Sequence, residues 1–240
     1  MAFEEVTIGP CRLIRGDCLE VLPTLSGIDA VVTDPPYGTR GSDAASRHDA
    51  ANGWSQFGVL EWDKPRPSPE HFAALLSLNV PTVIWGGNYF SDMLPPRSKF
   101  LIWDKGQTDF SLADVEQAWC SWDGAARRIT YARAKALQDG KIHPTQKPLA
   151  VMVWCLDFVE EAETILDPFA GSMTTGVACI RTDRKAILIE KERKYFDDGC
   201  RRIDLAWQDR KSWIPFDEPP PPVQRDLFTE SNLDTQRVTE

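Results

Sequence analysis

Four short apolar segments of this chain share one feature, because an acidic residue follows each of them directly. The acids are Asp17, Asp34, Asp167 and Glu190, and the segments that precede them are residues 12–16, 29–33, 164–166 and 186–189. Short runs of β-branched residues are typical of buried strands in a mostly parallel sheet. Helical stretches separate these runs, so the chain is predicted to adopt an α/β doubly wound fold. Such sheets bind ligands at the carboxyl ends of their strands, where we expect the four acids to form a site.

Three further regions stand out by their composition. Residues 38–62 are rich in Gly, Ala, Ser and Asp and are predicted to form a long, mobile loop. Residues 104–142 separate two core-like halves and are predicted to be a small inserted recognition segment. Residues 212–240 are rich in proline and acids, which is typical of a flexible tail. The predicted organisation is therefore one folded domain over residues 1–211, followed by a tail.

The distribution of charge matters more than the net charge of −9, which by itself disfavours a nucleic-acid partner. Residues 215–240 hold six acids against two arginines, and so account for much of the negative charge. Residues 125–147, by contrast, contain one acid, Asp139, among six basic side chains. These are Arg127, Arg128, Arg133, Lys135, Lys141 and Lys147. Both a solvated face and a DNA-facing surface fit this cluster.

The cysteines and histidines favour a protein of a reducing compartment that holds no metal. The six cysteines are scattered and form no C-x-x-C pair, which indicates reduced thiols and a cytoplasmic location. None of the three histidines lies at metal-ligand spacing from another ligand residue, so no metal site is expected. The sequence also has no run of about 18 apolar residues, and its first residues do not match a signal peptide.

The most specific motif is Asp34-Pro35-Pro36-Tyr37, directly after a predicted strand. A turn would explain the prolines but not the acid or the aromatic ring. The Asp34 carboxylate and the Pro35 carbonyl can each accept an N–H of a conjugated exocyclic amine, which frees the lone pair of the amine nitrogen. Pro36 stiffens the loop, and Tyr37 offers a flat face for an extruded base, worth about 1–3 kcal/mol. The motif therefore predicts a site that activates the amine of a nucleobase.

A second motif runs from Asp167 to Gly176, where a strand end leads through a tight turn into a helix. Small residues let the backbone approach a ligand, and the helix N-terminus favours the carboxylate of a bound amino acid. Glu190 follows the next strand, where an acid can bind both hydroxyls of a ribose. Taken alone, this arrangement fits any nucleotide-type site.

Together, these motifs resemble those of the β group of DNA amino-methyltransferases, in which the target-amine motif precedes a recognition region and the cofactor motif. The resemblance covers about residues 8–205 and implies a Rossmann-like catalytic domain that uses S-adenosylmethionine and acts on double-stranded DNA. The resemblance implies that the catalytic residues are Asp34, Pro35, Pro36 and Tyr37. The implied cofactor site comprises Asp17, Cys18, Asp34, His143, Thr145, Lys147, Asp167, Phe169, Ala170, Gly171, Ser172 and Glu190. DNA contacts are expected from Arg40, Arg127, Arg128, Arg133, Lys135 and Lys141.

The resemblance also bears on the target base and the partners. An Asp at position 34 is typical of adenine-N6 enzymes, and cytosine-N4 methylation remains the alternative; that Asp and the motif order disfavour RNA or protein-glutamine substrates. Met173 stands where the family turn F-x-G-S-G ends in glycine, so its side chain could crowd the cofactor or point away from it. A tail segment containing Gln224, Leu227 and Phe228 resembles peptides that dock on the sliding clamp, which leaves a catalytically weak DNA-binding or clamp-associated module as a further alternative. A homodimer and a nucleoid-associated location are also expected.

Overall fold

The computed structural model describes residues 3–38, 66–107, 113–132 and 146–211, which form one sheet of nine strands flanked by helices. In chain order the strands are β1 Glu4–Ile8, β2 Cys11–Arg15, β3 Ala30–Thr33, β4 Thr82–Trp85, β5 Phe100–Asp104, β6 Val115–Cys120, β7 Arg127–Thr130, β8 Thr164–Asp167 and β9 Lys185–Glu190. Their order across the sheet is β1-β2-β9-β8-β3-β4-β6-β5-β7.

Five neighbouring strands, β2, β9, β8, β3 and β4, run parallel to one another and form the middle of the sheet. The strand β1 pairs antiparallel with β2, and β6 pairs antiparallel with both β4 and β5. The predicted α/β fold with a mostly parallel sheet is confirmed. Because the five strands share one direction, their carboxyl ends all lie along one edge of the sheet.

The helices cover both faces of this sheet. They are α1 Cys18–Val21, α2 Pro69–Ser77, α3 Leu149–Leu156, α4 Thr174–Arg181 and α5 Arg193–Asp209, with short 3₁₀ turns at Leu22–Thr24, Gly87–Phe90 and Asp157–Val159. Alternate strand residues point to opposite faces. Ile165 and Leu188 pack with α3, α4 and α5, whereas the neighbouring Leu166 and Ile189 pack with α1 and α2. Burial of both faces explains why these strands are apolar at nearly every position.

The predicted inserted segment, residues 104–142, contains strands of the sheet. Strands β6 and β7 lie within that range, and both belong to the central sheet. In β6, Val115 is exposed and the polar Glu116 and Gln117 are half-buried, and in β7 both Arg128 and Thr130 are exposed, so these two strands lack the continuous apolar character of the parallel strands. Residues 108–112 and 133–145 lie outside the described residues, as do the predicted tail and all of the predicted loop except Gly38. The recognition role of this range stays a prediction.

Among the residues that the structure describes, no helix combines the length and the apolar character needed to cross a membrane.

Candidate active site

The four acids predicted at strand ends lie along one edge of the sheet. Asp34 follows β3 and Asp167 ends β8, which is the neighbouring strand. The Thr33 hydroxyl donates a hydrogen bond of 2.7 Å to Oδ1 of Asp167 and so ties the two strand ends together. Glu190 ends β9, and its carbonyl accepts a 3.1 Å bond from the backbone N–H of Gly16, just before Asp17. The parallel register thus brings sequence-distant acids into one site.

The Asp34 carboxylate has a donor on each of its oxygens. The Tyr37 hydroxyl donates to Oδ1 at 2.7 Å, and the Lys147 ammonium donates to Oδ2 at 2.7 Å. Lys147 also donates to the Tyr37 hydroxyl at 2.9 Å, which closes a three-membered network. Only 5% of the Lys147 side chain is exposed, against 22% for Asp34. The sequence assigned Lys147 to the cofactor site, whereas its hydrogen bonds in the structure join it to the predicted catalytic residues.

Glu116 belongs to the same network and was missed by the sequence analysis. Its Oε2 lies 2.9 Å from the Lys147 ammonium, and its Oε1 lies 2.7 Å from the Lys105 ammonium. Glu116 is the second residue of β6, which runs antiparallel to β4. The start of β6 therefore lies beside the carboxyl end of β4, at the edge where the other acids lie. The signal in the sequence was an acid at the start of a partly apolar run, which has meaning only once this strand pairing is known.

Burial and charge act in opposite directions on the titration of this cluster. Burial raises the pKa of the Glu116 carboxyl, but Lys147 and Lys105 outweigh it and hold that pKa at about 2. Burial raises the pKa of Asp34 above its usual value, and the charge of Glu116 adds to this while Lys147 opposes it. Burial lowers the pKa of Lys147, but Asp34 and Glu116 more than compensate and raise it well above its usual value. Lys147 is therefore an ammonium at neutral pH.

The Tyr37 ring packs on the backbone of Gly86 and on the ring of Tyr89. The Tyr37 and Tyr89 rings are stacked, with centroids 4.8 Å apart and an interplanar angle of 18°. Gly86 follows β4 in a left-handed conformation with φ of +71°. A Cβ added to Gly86 would lie 2.2, 2.6 and 2.7 Å from Cε1, Cδ1 and Cζ of Tyr37. Such similar distances place that Cβ above the ring plane, so glycine is needed for Tyr37 to lie flat here.

Gly86→Ala is expected to displace Tyr37 and to lower the free energy of unfolding by about 1–3 kcal/mol beyond the backbone strain alone. The added methyl group overlaps the ring, so the hydrogen bonds of the Tyr37 hydroxyl to Asp34 and Lys147 must break. Urea denaturation measures the change. Gly27→Ala is a matched control, because Gly27 has the same φ of +71° but no atom within 4 Å of an added Cβ. Equal losses for the two variants would contradict this prediction.

The turn after β8 is built around the buried carboxylate of Asp167. Its Oδ1 accepts hydrogen bonds from Thr33 and from the backbone N–H of Phe169 at 3.1 Å, and its Oδ2 accepts one from Thr175 at 2.6 Å. Burial raises the pKa of Asp167 to about 6, although these hydrogen bonds lower it. The carboxyl therefore anchors the turn while lying in surroundings that disfavour its charge.

Asp167→Asn is expected to change how stability depends on pH. The folded-state pKa of about 6 lies above the ordinary value of 3.8, so the unfolded chain ionises first as the pH rises. The resulting stability penalty is absent below pH 4, develops between about pH 4 and 6, and is complete above that range. The variant lacks this carboxyl, so its free energy of unfolding relative to wild type should increase across the interval. Urea denaturation at several pH values tests this, and a constant difference would refute it.

The backbone of the turn after β8, where the cofactor is predicted to bind, is hydrogen-bonded to Glu190. Gly171 has φ of +47°, and its N–H donates to Oε2 of Glu190 at 3.0 Å. The other carboxylate oxygen of Glu190 accepts a 2.7 Å bond from the N–H of Glu192. Ala170 is buried, and Phe169 is half-buried with its ring 5.8 Å from that of His71. Glu190, the residue predicted to bind the ribose, is thus hydrogen-bonded directly to the turn after β8.

Met173 points into the core. Met173 is the N-cap residue of α4 and has a left-handed conformation, with φ of +59°. This conformation favours glycine. Its side chain is fully buried and packs on Gly199 of α5, where an added Cβ would lie 2.4 Å from Cγ of Met173. The preceding residue, Ser172, is half-buried, and its hydroxyl lies 3.0 Å from that of Thr174. The Met173 side chain therefore packs inside the domain, against α5.

Asp17 and Cys18 begin α1 beside the end of β2. The Asp17 carboxylate caps this helix by accepting the N–H of Leu19 at 3.0 Å, and it pairs with Lys191 at 3.0 Å. Cys18 is buried, and burial raises its pKa to about 12. The ligand atoms of Asp17, Cys18 and His71 lie within 4.8 Å of one another, a grouping that sequence spacing did not predict. Because Lys191 already neutralises Asp17, we assign no metal to this group.

The other predicted contact residues divide into two sets. Arg127 and Arg128 lie on β7 at the edge of the sheet, and Arg128 is largely exposed, 3.4 Å from Asp104. Pro35 is buried and Pro36 half-buried beside Asp34. The residues that lie outside the described part of the chain are Arg40, Arg133, Lys135, Lys141, His143, Thr145, Gln224, Leu227 and Phe228.

Comparisons with known proteins identify relatives of this chain. A protein-family model for DNA methylases of the N6/N4 type matches residues 80–200. Type II methyltransferase M2.MboI of Moraxella bovis is 29% identical over 159 residues, which are 63% of this chain and 50% of that protein. DNA adenine methyltransferase YhdJ of Escherichia coli K12 is 42% identical over 78 residues, 32% of this chain and 26% of that protein. The matches thus span half or less of these two relatives.

Among solved structures, the complex of M1.HpyAVI with SAM is similar to this chain, with a TM-score of 0.52 at 22% identity. The similarity covers 81% of this chain and 99% of that one, and it supports the fold. The region matched by the family model contains Glu116, Lys147, Asp167 and Glu190, whereas Asp34 precedes it.

Proposed function

This chain belongs to the DNA methylase family, and on that premise we propose that it transfers a methyl group from S-adenosylmethionine to the N6 amine of an adenine extruded from double-stranded DNA. The observation that carries the proposal is the hydrogen bond from Thr33 to Asp167. It joins the end of β3, where Asp34 would receive the amine, to the turn after β8, where the methyl donor would bind. The two reactants would therefore meet between neighbouring strand ends.

The residues of the site fit a sulfonium cofactor. Asp34 and Asp167 supply carboxyl groups at neighbouring strand ends, a setting that suits a positively charged cofactor. The backbone at Gly171 is accessible, since an added Cβ would meet only the Phe169 carbonyl oxygen, at 3.8 Å. Glu190 would bind the ribose hydroxyls of the cofactor, and Asp17 and Cys18 would lie near the adenine of the cofactor. When bound, S-adenosylmethionine supplies an electrophilic methyl group.

The chain itself would contribute positioning and charge. We infer that Asp34 accepts one N–H of the target amine and that the Pro35 carbonyl accepts the other, so that the nitrogen lone pair points at the methyl group. Tyr37, held flat by Gly86, would support the base through its ring. No covalent enzyme intermediate is needed, and the fixed carboxylates would stabilise the positive charge that develops on the amine.

The test is incubation of the purified protein with unmethylated DNA and S-adenosylmethionine, followed by nucleoside mass spectrometry. We expect N6-methyldeoxyadenosine. N4-methyldeoxycytidine would keep the mechanism and change the base. No product despite cofactor binding would refute a DNA substrate and make RNA the next to test. No cofactor binding by calorimetry would favour the DNA-binding or clamp-associated alternative.

Four further expectations complete the proposal. The basic residues Arg127 and Arg128 would contact DNA phosphates, the protein would form a homodimer, and it would act near the nucleoid in the cytoplasm. A tail contact with the sliding clamp would use Gln224, Leu227 and Phe228. Clamp binding that survives replacement of Leu227 and Phe228 by Ala would exclude the tail contact.

A further inference from the structure

The Lys147 ammonium is hydrogen-bonded to the Asp34 carboxylate, the group that the target amine would bind. An ammonium has three N–H donors, and those of Lys147 meet Oδ2 of Asp34 at 2.7 Å, Oε2 of Glu116 at 2.9 Å and the Tyr37 hydroxyl at 2.9 Å. The other oxygen of Asp34 is bound by Tyr37. Asp34 therefore already holds the kind of N–H donor that an incoming amine would present.

The strength with which Asp34 accepts a further N–H depends on how much of the ammonium charge rests on it. Each carboxylate oxygen can accept two hydrogen bonds, so an amine can still bind. A cation that is bound to Asp34 alone would neutralise it and weaken that bond. Glu116, at a nearly equal distance from Lys147, is the group that shares this charge.

We propose that Glu116 is a positioning residue of the methyl-transfer site, which draws the Lys147 ammonium away from Asp34 and so lets Asp34 accept the target amine. The inference rests on the proposed function. Glu116 contacts Lys147 and Lys105 and acts on the substrate only through Lys147. As the amine binds, the ammonium moves onto Glu116 and stays buried and paired.

The balance of charge supports this role. Asp34, Glu116, Lys147 and Lys105 together carry a net charge of about zero. Without Glu116 the sum would be about +1, which disfavours the positive charge that develops on the amine. Lys105 holds the far oxygen of Glu116 at 2.7 Å, and its side chain is 10% exposed, so the position of the carboxylate is fixed from behind.

Glu116→Gln tests the proposal, because it keeps the shape of the side chain and removes its charge. Lys147 then pairs with Asp34 alone, and we expect kcat to fall about 10-fold to 100-fold. The dissociation constant of S-adenosylmethionine, measured by calorimetry, should change much less than kcat. Glu5→Gln is the matched control, since Glu5 forms an exposed ion pair with Arg12 at 2.7 Å, and it should keep the wild-type kcat.

The decisive measurement is a second substitution. Lys147→Met added to Glu116→Gln removes the cation that occupies Asp34, so kcat should recover at least about fivefold over that of Glu116→Gln alone. A purely structural role of the ion cluster predicts the opposite, because the double variant loses one more buried contact. A double variant that is no more active than Glu116→Gln would overturn the proposal.

Two precautions keep the outcomes distinct. If Glu116→Gln is unfolded at the assay temperature, Glu116→Asp replaces it; this keeps the charge but withdraws the carboxylate by about 1.5 Å, and a wild-type kcat would then refute the proposal. Nucleoside analysis of the wild-type reaction is done first. Absence of a product there refutes the proposed function, whereas product formation with an unchanged kcat in Glu116→Gln refutes only the role of Glu116.

Discussion

Asp34→Asn is expected to lower kcat for methyl transfer by about 10²-fold to 10³-fold, with little change in cofactor affinity. The substitution keeps the size of the side chain but replaces a carboxylate oxygen by an NH₂ group, which cannot accept the N–H of the target amine. The one remaining oxygen would face the Lys147 ammonium, which lies 2.7 Å from Oδ2 in the wild type, and so would be less available to the target amine. The lone pair of the target amine would then remain conjugated with its ring.

Single-turnover rates, with product formation followed by nucleoside mass spectrometry, measure this effect, and calorimetry measures cofactor affinity. Asp29→Asn is a suitable control because Asp29 precedes the same strand, β3, at the opposite edge of the sheet. There its carboxylate accepts backbone hydrogen bonds from Glu163 and Thr164 at 3.2 and 2.8 Å. We expect wild-type rates from Asp29→Asn. A rate within about threefold of wild type for Asp34→Asn would exclude Asp34 as the acceptor of the amine.

The parallel part of the fold could be predicted because its information is local. An apolar run that ends in an acid identifies both a buried strand and the side chain at its carboxyl end. Parallel strands bring those ends to one edge whatever their order, so Asp34, Asp167 and Glu190 could be predicted to lie together before the strand order was known. The same rule gave Asp17, which follows β2.

The antiparallel strands were not predictable in the same way. β6 enters the sheet beside β4 in the opposite direction, with Trp85 opposite Ala118, and this brings the start of β6 to the site edge. Nothing within residues 104–142 specifies that partner, because strand pairing depends on contacts distant in sequence. The range therefore resembled an insertion, and Glu116 resembled an ordinary surface acid.

The motifs predicted which residues lie in the site better than they predicted which side chains contact one another. The sequence put Lys147 near the cofactor because of its motif, but which partner a long side chain reaches depends on the charges around it. Here Asp34 and Glu116 both attract the ammonium at less than 3 Å. Similarly, the family pattern marked Met173 as unusual, and only the packing of α5, with Gly199 facing it, shows how the side chain is accommodated.

The buried ion cluster of Asp34, Glu116, Lys147 and Lys105 is where a substitution should lower the free energy of unfolding most. Lys147→Met leaves the Asp34 and Glu116 carboxylates buried without their shared cation, and we expect the free energy of unfolding to fall by about 3–5 kcal/mol at neutral pH. Arg193→Met, which removes exposed ion pairs with Asp197 and Glu4, should leave stability nearly unchanged.

The stability lost in Lys147→Met should depend on pH in a defined direction. In the wild type, the pKa of Glu116 is held at about 2, below its ordinary value of 4.5, so its contribution to stability is present above pH 4.5 and is lost as the pH falls toward 2. Without Lys147, the cation that opposes burial at Asp34 is gone, so the pKa of Asp34 should rise further above its unfolded value, whereas Glu116 still pairs with Lys105. The stability of Lys147→Met should therefore fall as the pH rises from about 4 to 8. Urea denaturation across that interval, compared with wild type, measures the slope. If the deficit of Lys147→Met is as large at pH 4.5 as at pH 8, the Asp34 carboxylate is not an ionised neighbour of Lys147, and the cation does not stabilise the fold through it.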